Sequence, residues 1–434
     1  MSSSSPLPAD KRIDNSVDHD FDDPDFCEPI DVENEPDHPV VPLPSGSWLA
    51  VLGGGQLGMM FCQAAQKLSY RVAALDPDPD APIGAVADML WTASYQDADV
   101  LQALSERTQA ATVEFENVPY AALAHLAMRM PVRPAVDSIA IAQSRIQEKM
   151  FFARHGLPVA PFIVLRDSSD LSLPMPQYLF PGRLKTARLG YDGKGQLAVT
   201  APEQVAPAFQ QLGNVTCVLE QQLQLTREIS VLIARDAHGD TALWPIAENI
   251  HRNGILDVTI VPARISEAMA QTACEYARKV VENLGYRGVL CIEFFIDARD
   301  NLYLNEMAPR PHNSGHHTIE SCVTSQFEQQ ARITASLPLG DPSQKTPAVM
   351  LNLLGDLWFS DEVSNVSSEP DWNALIADSG ACQTHLHLYG KKEARRGRKM
   401  GHITCCAETL DDALQTVRRL RKALRLPELD GLRA

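Results

Sequence analysis

The chain has 434 residues, 45% hydrophobic and 21% charged, with 30 Pro and 24 Gly, a balance that excludes collagen, a continuous coiled coil and a wholly disordered chain. Its net charge of −17 argues against nucleic-acid binding, which draws on a basic surface, and no window reaches the roughly 18 apolar residues of a membrane span. Nine Cys with no CxxC pair suit a cytoplasmic protein better than a disulfide framework.

The first 47 residues carry 12 acidic side chains against Lys11 and Arg12, are rich in Ser, Pro and Asp, and show no apolar periodicity. Such a segment buries too little apolar surface to offset its ordering entropy, so residues 1–46 read as a disordered acidic leader. Folded sequence begins at Trp48, where the strand WLAVL meets GGGQLG, a helix (MMFCQAAQKL) and a second strand (RVAALD). Short apolar strands and helical stretches alternate up to residue 140, predicting a parallel sheet covered by helices over 47–140. A helix from Ile139 to His155 leads into longer, antiparallel-style strands (FPGRLKTA, QLAVT, VTCVLEQQL, REISVLIARD, TALWPIAENI), a helix within 265–285, and VLCIEFFIDARDNLYLNEM. This α+β region is placed at 141–340, and a small third domain at 341–434.

Gly53, Gly55 and Gly58 form a GxGxxG pattern between a strand and a helix, with Asp76 ending the next strand. Three readings stay open: a dinucleotide site, a site for another phosphorylated ligand, or a glycine turn for packing. Lys185 precedes a glycine-rich hairpin tip, Gly190, Tyr191, Asp192, Gly193, Lys194, Gly195 and Gln196. Its amides could wrap phosphates beside a fixed positive charge, or it could be an ordinary surface hairpin.

In CIEFFIDARDNLYLNEM a symmetric turn at Ala298–Asn301 pairs residues whose numbers sum to 599, which sets Glu293 opposite Glu306. Facing carboxylates on apolar strands need a shared proton or a bridging cation, and oxygen ligands suit magnesium held together with phosphates. The alternative is two unrelated surface glutamates. Strand alternation turns Asn305 away from Glu306. The loop Ala308–His317 follows, where Arg310 can grip an oxyanion and Asn313 and Ser314 add donors. A zinc site from His312, His316 and His317 is disfavoured, since neither cysteines nor a helical HExxH accompany it. Residues 391–402 (KKEARRGRKMGH) form a basic run, read either as a solvated loop or as a seat for a substrate phosphate.

Taken together, GGGQLG, EFENVP, YDGKGQ, NEMAPRPHNSGHHT, SQFE and YGKKEARRGRKMGH resemble the ATP-grasp enzymes, and at finer grain the 5-(carboxyamino)imidazole ribonucleotide synthase family of purine biosynthesis. The resemblance implies an ATP-grasp fold, mixed α/β and α+β, with an N-terminal Rossmann-like pre-ATP-grasp domain, a flap subdomain at about 160–220 and a small C-terminal domain. It implies a ligase that carboxylates aminoimidazole ribonucleotide with bicarbonate and ATP through carboxyphosphate, with Mg2+ or Mn2+. It places ATP between Arg145 and Lys185 under the flap. Glu220, Gln221, Gln222 and Leu223 would lie at the adenine, Glu228 at the ribose, and His251 and Asn305 at the phosphates. Glu293 and Glu306 would bind the metal. Tyr191, Arg310, His312 and Asn313 would line the bicarbonate and amine site, and Lys391, Arg398 and Lys399, with Gln56 and Glu114 or Glu116, the ribonucleotide. It further implies a homodimer and, because no mutase domain follows, a separate mutase acting on the product. Leu189, Arg396 and Gln330 depart from the family pattern, the last two at positions read as peripheral. Two rival readings are an NAD-dependent dehydrogenase, resting on GGGQLG and Asp76, and a noncatalytic nucleotide-binding regulator.

Overall fold

The computed structural model describes residues 38–188, 190, 194–360, 367–377 and 382–432. Tyr191, Asp192, Gly193 and Leu189, and the leader up to residue 37, lie outside them.

Five parallel strands open the fold: β1 (Trp48–Leu52), β2 (Arg71–Asp76), β3 (Met89–Thr92), β4 (Ala110–Val113) and β5 (Val132–Arg133), in the order β3-β2-β1-β4-β5. Apolar residues run unbroken along β1 because both faces are covered. Leu49 and Val51 enter one core with Phe61 and Ala65 of helix Gln56–Lys67, while Ala50 and Leu52 enter the opposite core with Leu101, Leu104 and Leu123. Strand order reverses between β1 and β4, so the loops after their C-terminal ends, carrying Gly53 and Glu114, border a crevice.

The antiparallel strands β6 (Phe162–Leu165), β7 (Gly182–Thr186), β8 (Gln196–Val199) and β9 (Cys217–Gln221) form a small sheet, β6-β9-β7-β8. It packs on helix Val205–Gln211 through Leu184, Leu219, Val205 and Phe209. The remaining strands are β10 (Leu225–Arg235), β11 (Thr241–Leu243), β12 (Ala247–Arg252), β13 (Ile255–Val261), β14 (Gly288–Asp297), β15 (Leu302–Ala308), β16 (Ala348–Leu354), β17 (Gln383–Leu388) and β18 (Lys399–Cys406). They make one nine-stranded sheet, β15-β14-β10-β12-β13-β16-β18-β17, with β11 on β10. Helix Glu267–Asn283, capped by the Ser266 side chain, covers β10 and β14 with Ala273, Ala277, Val280 and Val281. Helix Leu410–Ala423, capped by Thr409, covers β16 and β18.

Several local readings change. The helix expected over Ile139–His155 is two, Val136–Ala142 and Arg145–Arg154, because Ser144 takes an extended backbone and its hydroxyl caps the second helix. TALWPIAENI breaks into β11 and β12 at Pro245, which cannot donate to the ladder. Trp244 instead buries itself and donates from Nε1 to Thr324 O at 2.9 Å. Residues 38–46, counted with the disordered leader, pack on the body: Leu43 N donates to Ala335 O (3.0 Å), and Tyr70 Oη donates to Leu43 O (2.9 Å). The segment 341–434 continues the middle sheet, since β16 pairs with β13 through Val258↔Leu351 and Ile260↔Val349. Among the described residues no helix is long and apolar enough to cross a membrane.

Candidate active site

Glu293 on β14 does face Glu306 on β15, by a route the turn did not suggest. Next to the turn the pairs are Ile296↔Leu302, Phe295↔Tyr303 and Phe294↔Leu304, one residue out of the register expected. The turn is wider than two residues because the Asp297 carboxylate accepts from Arg299 N and Asn301 N (2.8 and 2.9 Å), with Asp300 left-handed at φ +60°. A bulge at Asn305 then restores Glu293↔Glu306. The same bulge overturns the alternation that was to turn Asn305 away: Glu293, Asn305 and Glu306 line one cavity.

The two carboxylates carry different charge. Burial raises Glu306, but Arg145 Nη1 at 2.9 Å outweighs it and holds the group below the usual carboxylate range. Burial and the Glu306 charge push Glu293 up to about 7. Glu148, behind them, is pushed up to about 8 by burial and by Glu306, and one of its oxygens accepts from Met307 N at 2.6 Å. Asn305 Oδ1 is buried without a hydrogen-bond partner. A pair of carboxylates plus an unsatisfied amide oxygen fits a hard divalent cation such as Mg2+. Among the described residues there is no group of three His, Cys, Asp or Glu side chains placed to hold a metal ion.

Two chambers meet at this ribbon. The first, about 730 Å³, receives Lys185, Gln196, Glu220, Gln221, Gln222 and Leu223 from the small sheet and its exit, and Glu228 and His251 from β10 and β12. Lys185 Nζ lies 3.0 Å from Glu220 Oε2. Burial opposes ionisation of Glu220, but Lys149 and Lys185 prevail and bring it down to about 2. Burial also depresses His251, yet Glu228, with Oε2 3.1 Å from Nδ1, raises it to about 9.

The second chamber, about 750 Å³, is walled by Gln56, Glu114 and Glu116 of the first domain, by Gly190 and Lys194 of the hairpin, and by Arg310. Lys391, Arg395, Arg396, Arg398 and Lys399 complete it, so the basic run borders the chamber. Arg396, read as peripheral, lies in that wall with its guanidinium 4.6 Å from the Phe359 ring centre. Arg145, Glu306, His312, Asn313 and Lys399 line both chambers. Gly195 lines neither; it takes φ +68° and its carbonyl accepts from Thr186 N, shaping the hairpin.

The glycine loop is already filled by the protein itself. Gly55 N and Gly58 N donate to the two Glu114 carboxylate oxygens at 2.5 and 2.7 Å, where a dinucleotide would put its pyrophosphate. A Cβ at Gly53, which sits at φ +105°, would lie 2.2 Å from Glu114 Cγ. Asp76 is likewise occupied, accepting from Gly54 N (2.6 Å) and Tyr95 Oη (3.0 Å). This removes the NAD reading, while Glu114 keeps a place in the wall of the second chamber. Glu116, two residues on, accepts from Arg310 Nε at 2.7 Å and aims that guanidinium.

The SQFE motif holds the loop after β15. Gln326, fully buried, accepts from His312 N through Oε1 and donates to His312 O through Nε2, both at 2.8 Å. His312 Nε2 then stands 3.5 Å from Glu293 Oε1. His316 and His317 are fully buried behind the loop. Gln330, also read as peripheral, accepts from Val289 N (2.8 Å) and donates to Thr112 Oγ1 (2.6 Å) and Arg133 O (3.1 Å), joining the first sheet to β14.

Sequence reasoning missed Glu148, Lys149 and Gln143, and gave no role to Gln326 within SQFE. The first two follow Arg145 at i+3 and i+4, a charged face on a helix that turns out to be buried, and that spacing was a usable signal. Gln143 Nε2 donates to Glu116 O and Val118 O (2.7 and 2.9 Å), a contact no local pattern announces.

Comparison with known proteins agrees with this geometry. Family models match for the ribonucleotide synthetase preATP-grasp domain (residues 47–143), the ATP-grasp domain (150–327) and the phosphoribosylaminoimidazole carboxylase C-terminal domain (348–416). The N5-carboxyaminoimidazole ribonucleotide synthase of Bacillus subtilis is 39% identical over 86% of this chain and 94% of its own, and that of Brucella melitensis 40% identical over 83% and 97%. Among solved structures, the Staphylococcus aureus synthetase complexed with ADP superposes with a TM-score of 0.79 at 35% identity, covering 88% of this chain and 98% of its own. The Aspergillus clavatus enzyme in complex with ADP and 5-aminoimidazole ribonucleotide superposes at 0.76 with 28% identity, over 88% and 99%. With an ATP-grasp core, a plugged glycine loop and relatives matched over nearly their whole length, the chain belongs to the N5-carboxyaminoimidazole ribonucleotide synthase family.

Proposed function

We propose that this chain carboxylates 5-aminoimidazole ribonucleotide with bicarbonate, using ATP and releasing ADP and phosphate. The observation that carries this reading is the shared wall: Arg145, Glu306, His312, Asn313 and Lys399 border both chambers, so a nucleotide's phosphate end and a ribonucleotide's amine would meet there. Solved structures of similar proteins in complex with ADP and with 5-aminoimidazole ribonucleotide support the two occupants.

Bicarbonate is a poor electrophile until one of its oxygens becomes a leaving group. A bicarbonate oxygen attacks the γ-phosphorus, the bond to ADP breaks, and carboxyphosphate forms. Its collapse gives phosphate and carbon dioxide. The substrate amine attacks that carbon and loses a proton to give the N-carboxylated product. Arg145 and Lys185 offset charge on the transferring phosphoryl group from two sides, Glu228 takes the ribose, and His251, beside it, joins the phosphate end. Arg310, aimed by Glu116, faces the bicarbonate and amine with His312 and Asn313, and Tyr191 would join them from the hairpin. Lys391, Arg398 and Lys399 take the ribonucleotide phosphate, with Gln56 at the opposite wall. Glu293, Glu306 and Asn305 would hold Mg2+ or Mn2+, which when bound offsets phosphate charge.

The reading is tested by ADP release from purified protein, which should require both bicarbonate and aminoimidazole ribonucleotide. Turnover with formate or an amino acid in place of bicarbonate would assign another branch. A homodimer and a separate mutase follow from the family resemblance, and a cytoplasmic setting from the same resemblance and from eight described cysteines that are all unpaired thiols.

A further inference from the structure

Glu220 is met by two lysines that differ in what else they can reach. Lys185, on β7, lines the nucleotide chamber and places Nζ 3.0 Å from Glu220 Oε2. Lys149, on helix Arg145–Arg154, places Nζ 3.2 Å from Glu220 Oε1 and lines neither chamber. It is 1% exposed and Glu220 3%. Its ammonium also lies 5.8 Å from the ring centre of Phe162, the residue paired with Glu220 between β6 and β9. The helix supplies Arg145 and Lys149 one turn apart, Arg145 toward Glu306 and Lys149 toward Glu220.

A buried lysine with no view of the ligand has a use if the other lysine must leave. In the reading above, Lys185 serves the phosphates, and a buried carboxylate stripped of its only partner is strongly disfavoured. The geometry points to Lys149 as a positioning residue, the standing counter-ion of Glu220 that lets Lys185 turn to the nucleotide phosphates while Glu220 stays ionised. This inference rests on the nucleotide assignment of the chamber. The other charged groups around Glu220 are Arg145, from the same helix as Lys149, and Arg183, its partner across β7. The downward pull of Lys149 and Lys185 on Glu220 agrees with a carboxylate that does not take up a proton at neutral pH.

The test is calorimetric binding of ADP with Mg2+ to the full chain at pH 7, in two buffers of different ionisation enthalpy, which counts protons taken up. The wild type should take up about none. Lys149→Met keeps Lys185 on Glu220 in the free protein, but ADP then draws Lys185 away and Glu220 must be protonated. Starting from an ordinary carboxyl value of 4.5, that costs about 2.5 decades at pH 7. The variant should therefore take up about one proton, with ADP affinity lowered by up to ~300-fold and recovering toward tenfold for each pH unit lowered. Lys149→Arg should restore wild-type behaviour, and adding Glu220→Gln to Lys149→Met should abolish the proton uptake. Binding by Lys149→Met without proton uptake, at whatever affinity, would overturn the inference. Failure of the wild type to bind ADP would overturn the nucleotide assignment itself.

Discussion

Replacing Glu306 by Gln probes the ribbon where both chambers meet. Glu306 is the ionised member of the pair, 2.9 Å from Arg145 Nη1, while Glu293 holds its proton up to about 7. The substitution removes one of two carboxylate ligands, leaves Arg145 without its partner and takes away the neighbouring charge that helps raise Glu293. A catalytic metal supplies several kcal/mol of transition-state stabilisation, and losing about 2.7 kcal/mol of it corresponds to ~100-fold in rate. The assay is ADP release at saturating ATP, bicarbonate and aminoimidazole ribonucleotide, across a Mg2+ titration. We expect kcat to fall at least ~100-fold and half-saturating Mg2+ to rise. The pH dependence adds a sign: a metal would bind deprotonated Glu293, so wild-type Mg2+ affinity should tighten as pH rises through about 7, and in the variant that step should move to lower pH. Wild-type turnover by the variant at saturating Mg2+ would refute the assignment of these carboxylates.

Other parts of the molecule give independent checks. Arg421 Nη1 lies 2.5 Å from Asp257 Oδ1, both buried, with Arg252 farther off at 3.3 Å, so Arg421→Met should lower unfolding free energy in urea by about 3–5 kcal/mol. His251 has a folded-state value of about 9, above its ordinary 6.5. It therefore adds stability that is complete below pH 6.5 and lost as pH rises through 9, and His251→Gln should flatten the fall of melting temperature over that window. Deleting residues 1–37 should leave melting temperature and turnover unchanged, whereas deletion through residue 45 should lower the melting temperature by removing Leu43 from Ala335 and Tyr70.

What the sequence made legible was whatever local chemistry or period-two patterning decides. The unbroken apolar run of β1 and the alternation of strands and helices after it translate directly into structure. The facing glutamates were legible too, although the turn was taken as one residue too tight and the bulge at Asn305 supplied the correction. Side-chain partners distant in sequence were not legible. GGGQLG satisfies every local requirement of a dinucleotide loop, and only Glu114, 56 residues past Gly58, shows that its amides are spent. The sheet shared by β13 and β16 was hidden for the same reason, since the segment matched as a C-terminal domain joins the middle sheet through strand pairs far apart in sequence. Lys149 escaped notice because a lysine on a helix is ordinarily solvated, and its burial depends on Glu220, 71 residues away.

The central claim is that bicarbonate is activated by phosphoryl transfer at the wall between the two chambers. Bicarbonate labelled with ¹⁸O, followed by mass analysis of the phosphate released in the presence of ATP and aminoimidazole ribonucleotide, tests it most directly. Transfer of one labelled oxygen per phosphate is the predicted result. Unlabelled phosphate, with carboxylated product still formed, would mean that water attacks ATP and that the chambers do not couple the two reactions as described.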